Sequence, residues 1–167
     1  MLFRSSAREI FQALLRVVPD NPQVLLLAGE TEMRLGAGVQ AETMFAKAAT
    51  LAPNNPEARR LLARAQLRLG QPAKAITTLG PLVEKADAGA EDLALAAEAR
   101  LLTGDAKAAD ALFVRVARLA PTDPQLRTMV AVNAMGRGND AAAFTELNSI
   151  AAADSGTGAD LDRKSVV

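Results

Sequence analysis

The stretch Leu69-Gly70-Gln71-Pro72-Ala73-Lys74-Ala75-Ile76-Thr77-Thr78-Leu79 decides the fold, because three of its residues recur at a single interval. Gly70 belongs to a series Gly36, Gly70, Gly104 and Gly138, each 34 residues from the last. Ala75 belongs to Ala7, Ala41, Ala75, Ala109 and Ala143, with the same step. Leu79 belongs to a bulky apolar series, Phe11, Phe45, Leu79, Phe113 and Leu147. A fixed period of this length marks stacked supersecondary units, none of which buries its apolar face alone. The spacing within the stretch makes the unit a helical hairpin. Glycine permits the positive φ of a tight turn. An alanine four places before a bulky residue puts both on one helix face.

Reading outward, proline and its neighbours punctuate the series. Pro19-Asp20-Asn21-Pro22, Ala52-Pro53-Asn54-Asn55 and Pro121-Thr122-Asp123-Pro124 each stop one helix and start the next, since proline is favoured at the first helical position. The pattern predicts helices over 6–18, 22–35, 39–51, 56–69, 72–85, 90–103, 106–119, 124–137 and 140–153. The first helix of each hairpin is called A and the second B. Ala28-Gly29, Leu62-Ala63, Ala96-Ala97 and Val130-Ala131 occupy one place in the A helices, where small side chains let the B helix approach closely. Gly80-Pro81 interrupts the second B helix, and Pro81 is expected to kink or restart it. Ser155-Gly156-Thr157-Gly158 is expected to be a linker, with Ala159-Asp160-Leu161 opening a further A helix.

Composition narrows the chemistry. Half of the 167 residues are apolar and few are aromatic, which favours closely packed helices. Nineteen basic residues balance nineteen acidic ones, so the net charge does not advertise nucleic acid or an anionic membrane as partner. With no Cys and no His, zinc thiolate sites, thiol nucleophiles, disulfides and histidine acid–base catalysis are all excluded. No apolar run approaches the ~20 residues of a membrane span. Gly136-Arg137-Gly138-Asn139-Asp140 is glycine-rich, but it is a hairpin turn that follows no strand, which argues against a phosphate loop. No catalytic constellation, metal site or cofactor is expected.

The two ends break the pattern. Residues 162–167, Asp-Arg-Lys-Ser-Val-Val, can be encoded by GAT CGG AAG AGC GTC GTG. The reverse complement contains CTC TTC CGA TC, which reads Leu-Phe-Arg-Ser, the order of Leu2 to Ser5. Residues 1–5 and 162–167 are therefore expected to be adapter-derived tails on an internal fragment of a longer protein. The repeats are then expected at 22–55, 56–89, 90–123 and 124–157, preceded by a lone B helix at 6–21 and followed by the start of another repeat at 158–161.

The small pair in helix A, the turn glycine, the alanine followed by an aromatic in helix B and the exit proline resemble the tetratricopeptide repeat pattern. In the first full repeat they are Ala28-Gly29, Gly36, Ala41, Phe45 and Pro53, and in the third Ala96-Ala97, Gly104, Ala109, Phe113 and Pro121. The family's Trp and Tyr of helix A are replaced by Leu25 and Glu32, and by Arg59 and Gln66, while Asp87 replaces the second exit proline. The resemblance implies an all-α, right-handed solenoid of antiparallel hairpins that serves as a non-catalytic protein-binding scaffold. The alternative is a docking region of a larger transferase or kinase. The phrases Leu51 to Ala63 and Leu67 to Ala75 also resemble the repeat lipoprotein of the PEP-CTERM/exosortase exopolysaccharide system. That resemblance implies a periplasmic or outer-membrane-associated protein.

The family architecture implies a concave groove lined by the A helices, where a protein or peptide would sit. By helical spacing the lining residues are expected to be Leu26, Glu30, Met33 and Arg34 in the first repeat and Arg60, Arg64, Leu67 and Arg68 in the second. Glu98 and Leu101 follow in the third repeat and Met135 in the fourth. Arg60, Arg64 and Arg68 form one ridge, and arginine forks suit the carboxylates or carbonyls of an acidic or extended peptide. The competing reading is a solvated helix face neutralised by Glu57 or Glu98. An anionic polysaccharide is a second ligand class, though the scarcity of aromatics argues against sugar stacking. Uncapped hairpins at both edges are expected to promote self-association.

Overall fold

The computed structural model describes residues 2–163, with side-chain surroundings for 7–141 and 143–152. Among the described residues there are nine helices and no strand: α1 (Leu2–Val17), α2 (Pro22–Arg34), α3 (Gly38–Leu51), α4 (Pro56–Arg68), α5 (Pro72–Val83), α6 (Ala90–Leu102), α7 (Ala106–Leu119), α8 (Pro124–Gly136) and α9 (Asp140–Arg163). Each helix packs on its neighbours in sequence, and α2, α4, α6 and α8 also touch one another in succession. The four A helices thus form one continuous wall. This is the all-α solenoid of antiparallel hairpins that the 34-residue period predicts.

The hairpin turns explain the glycine series. Gly36, Gly70, Gly104 and Gly138 adopt φ of 78°, 69°, 81° and 77°, a region that penalises any side chain. Around Gly36, the Ala37 N–H reaches Glu32 C=O at 2.9 Å and the Gly36 N–H reaches Met33 C=O at 3.2 Å. That pair of bonds is the Schellman closure, which satisfies carbonyls the helix end would leave bare. The same two bonds recur at Gly70, Gly104 and Gly138.

Four helix starts, those of α2, α4, α7 and α8, are capped by side chains. Asn21, Asn55 and Asp123 accept from Val24, Glu57 and Leu126 N–H groups, each with proline next. Asp105 caps α7 by accepting from Ala108 N–H at 3.1 Å. Ala37 stands at the corresponding place before α3 with φ −88° and ψ 61°, against −87° and 66° at Asp105, yet makes no such bond. Ala37→Asp should therefore reproduce the Asp105 cap and raise stability by about 1 kcal/mol. Urea unfolding of the two proteins checks this; an unchanged midpoint would show that the α3 start gains nothing from a cap.

The alanine series sits where helices meet. Ala41, Ala75 and Ala109 are 0% exposed and Ala143 is 1%. The bulky series fills the space beside it, with Phe45, Leu79 and Phe113 buried. At Gly29 the approach is tighter still: a Cβ built there would lie 2.5 Å from the Phe45 ring. Ala97 and Phe113 share a buried cluster at the equivalent place in the third repeat.

Several boundaries differ from expectation. The first helix begins at Leu2, not Ser6, because no breaker stands between them. Residue 1 and residues 164–167, parts of the two expected tails, lie outside the described residues. α5 passes through Pro81 without restarting, so the Thr77 carbonyl lacks its usual i+4 donor, and the helix stops at Val83 instead of reaching Lys85. Ala88, buried at 6%, then anchors the link to α6. α9 runs unbroken through Gly156 and Gly158, where a linker was expected. The turn glycines at 36, 70 and 104 are followed within three residues by a new helix start, whereas no proline or Asn-Pro punctuates 155–158. The preceding Ala151-Ala152-Ala153 run favours helix strongly enough to carry through.

Candidate functional site

The wall of A helices encloses a groove of about 800 Å³. α2 contributes Glu30, Met33 and Arg34, and α4 contributes Leu61, Arg64, Leu67 and Arg68. α6 adds Glu91, Ala94, Leu95 and Glu98; Asp123 and the α8 residues Gln125, Leu126 and Met129 close the far end. An edge of the buried Phe45 ring also reaches the groove. The floor is apolar and flexible in character, with Met33, Leu61, Leu67, Leu95 and Met129, and the rim is charged. Methionine and leucine on such a floor adapt to differently shaped side chains.

The structure brings seven of the expected residues together on this groove: Glu30, Met33, Arg34, Arg64, Leu67, Arg68 and Glu98. Four others it places elsewhere. Leu26 is 4% exposed and belongs to the core with Leu25, Ala41 and Phe45, so it cannot line an open surface. Leu26 stands one turn before Glu30 on the same side of α2, where side chains of α3 and α4 cover it. Arg60 is drawn into an ion-pair network at the groove base. Leu101 is exposed at 39% but outside the groove, and Met135 is half-buried beyond its far end. Leu61, Leu95 and Met129 were missed by the sequence reading. They form their own series with Leu27 at the 34-residue step, one place after Leu26, and that comb could have revealed them.

The Arg60 network ties α4 to α6. Arg60 Nε donates to Asp92 Oδ1 at 2.7 Å and its Nη1 donates to Glu57 Oε2 at 2.6 Å. Glu91 Oε2 lies 3.4 Å from Arg60 Nε, and Arg64 pairs with Glu91 across the same gap. The hydrogen bond from Arg60 to Asp92 outweighs the opposing effect of burial and holds the guanidinium above its ordinary pKa. Asp92 is buried and is compensated by this contact. Comparable ties join other neighbours: Arg8 to Glu32, Gln66 to Thr78 at 2.8 Å, and Asp110 to Asn133 at 2.9 Å. Two of the three ridge arginines, Arg60 and Arg64, are therefore tied up in ion pairs, and Arg34 and Arg68, together with Glu30 and Glu98, have no hydrogen-bond or ion-pair partner among the described residues.

Among the described residues no three acidic side chains cluster as a metal site, and no helix is long and apolar enough to cross a membrane.

Comparison with known proteins agrees with the architecture. Two family models described as tetratricopeptide repeat match residues 36–101 and residues 3–56, together more than half of the chain. Among solved structures, MamA from Desulfovibrio magneticus RS-1 superposes with a TM-score of 0.78 at 18% identity, covering 92% of this chain and 86% of that one. A tetratricopeptide repeat protein from Parabacteroides merdae gives a TM-score of 0.78 at 16% identity, covering 88% and 57%. A thermophilic TPR protein of Thermus thermophilus gives 0.71 at 24% identity, covering 79% and 74%. At these identities the likeness concerns the fold. No curated protein sequence matches the chain.

Proposed function

This chain belongs to the tetratricopeptide repeat family, and we propose that it works as a non-catalytic scaffold that holds a segment of a partner protein in the groove of its A helices. The observation that carries the reading is the groove itself: apolar side chains on its floor, and four charged side chains on its rim that nothing among the described residues neutralises. A built groove with unspent charge can recognise an extended or helical peptide, with apolar anchors giving affinity and the rim giving specificity.

The test is selection from a displayed peptide library, followed by a steric block. The chain has no cysteine, so Met33→Cys labelled with a bulky maleimide fills the groove at one chosen point. Selected peptides should bind the unlabelled variant and be lost on labelling. Peptides that bind both forms equally would contradict the groove as the site. The same experiment bears on the alternative, a docking region of a larger enzyme, which also needs the groove but adds a catalytic neighbour. The phrases at Leu51 to Ala63 and Leu67 to Ala75 support a narrower role in exopolysaccharide export, to be tested by loss of exported polymer on deletion.

A second mode of contact is supported by the edge helices. On α1, Ile10, Leu14 and Val17 are 58%, 40% and 80% exposed along one face, and Phe144 on α9 is 56% exposed. Contiguous apolar surface of this kind favours association. Light scattering should show a mass that grows with concentration and falls for the Ile10→Lys, Val17→Lys double variant. A constant monomer mass would remove this mode.

A further inference from the structure

The charges on the groove are not evenly spread. At the α2 and α4 end stand Arg34 and Arg68, both exposed and unpaired among the described residues, against the single acid Glu30. In the middle, Arg64 and Glu91 neutralise one another. At the α6 and α8 end the groove carries Glu98, unpaired, and Asp123, whose Oδ1 caps α8, with no base on that lining. The apolar side chains Leu61, Leu67, Leu95 and Met129 lie on the floor between the two ends. The groove is thus a dipole: basic at one end, acidic at the other, apolar along its floor.

We infer that the occupant is a dipolar peptide segment, with carboxylates at the end lying over Arg34 and Arg68, an apolar middle, and a lysine or arginine at the end lying over Glu98 and Asp123. This rests on the groove being the binding site, and it specifies the chemistry and the orientation of what binds there. A uniformly acidic segment would satisfy the arginines but press its remaining carboxylates against Glu98 and Asp123. A uniformly basic one would fail at the opposite end. Complementary potentials of this sort select partners and set their register. The central Arg64–Glu91 pair already neutralises the middle, so no charge is required of the occupant there.

Four fluorescent pools of twelve-residue peptides test it, with the middle positions drawn from Leu, Met, Phe and Ala. One pool is acidic at one end and basic at the other, one acidic at both ends, one basic at both, and one uncharged. The dipolar pool should bind tightest by fluorescence anisotropy. Its affinity should fall about tenfold or more in the Arg34→Glu, Arg68→Glu double variant, as two partly exposed attractions become repulsions. The same variant should gain affinity for the pool that is basic at both ends. Arg34 and Arg68 have no side-chain partner among the described residues but stand in the last turns of α2 and α4, so a slightly lowered, still cooperative circular dichroism melt is expected and confirms folding. Tightest binding by the uncharged or doubly acidic pool, blocked by the Met33→Cys label, would overturn the dipole while leaving the groove as the site. Binding of alginate that needs the arginines and ignores Glu98→Gln would overturn the peptide assignment. If the dipolar pool shows no binding, this proposal falls; if the displayed library also yields nothing, so does the reading beneath it.

Discussion

Phe45→Ala should lower the stability of the first hairpins by about 3–5 kcal/mol. The ring is 1% exposed and is surrounded by Leu25, Leu26, Ala41, Leu61 and Leu62. It also fills the space that Gly29 leaves open, so truncation creates a cavity that a glycine and an alanine on either side cannot collapse into. Stability in a solenoid is a sum of repeat and interface contributions, so the loss is local. α2 and α3 should exchange their amide hydrogens faster by orders of magnitude, while α6 and α7 change little. Phe45→Leu copies the residue at the same place in the next repeat, Leu79, and should cost much less. Uniform loosening along the whole chain would show that the hairpins do not behave as separable units.

The second large effect is expected at Arg60. Arg60→Ala leaves Asp92 without its guanidinium, and Asp92 is only 5% exposed. Removing one member of a buried pair costs about 3–5 kcal/mol when no water can enter. Truncation of Arg60 opens a path from the groove, so the loss here should be about 2–4 kcal/mol. It is read as a shift in urea midpoint. The variant Arg60→Ala, Asp92→Ala should recover a large part, because the stranded charge is gone. If the double variant is as unstable as the single one, the network contributes packing and not charge compensation. Arg34→Ala gives the contrast: its guanidinium has no partner among the described residues, so its removal should leave stability nearly unchanged.

The unequal legibility of fold and site has a physical origin. The fold is written in features that repeat: the positive-φ glycine, the zero-exposure alanine and the bulky residue four places on each have one steric solution, and four copies remove ambiguity. The helix starts at Pro22, Pro56, Pro72 and Pro124 follow from proline and agree to the residue. The groove is harder to read because its lining depends on which parts of each A-helix face the neighbouring helices cover. Leu26 is covered by α3 and α4, while Leu61, Leu95 and Met129, one place later in the repeat, reach the floor. The fate of the arginine ridge was also hidden, since Asp92 lies 32 residues from Arg60 and only folding sets them 2.7 Å apart. At Gly156 and Gly158, the turn residue is present without the punctuation that completes a turn, and the helix continues.

Recognition requires that the A-helix wall be the surface a partner segment occupies. A photoactivatable cross-linker on single cysteines reports this directly, at Met33 and Met129 on the groove and at Val39 and Val114, exposed on the B helices α3 and α7. A bound peptide should be captured from Met33 and Met129 and not from Val39 or Val114. Capture from Val39 and Val114, with none from the two groove positions, would place the partner on the B helices instead.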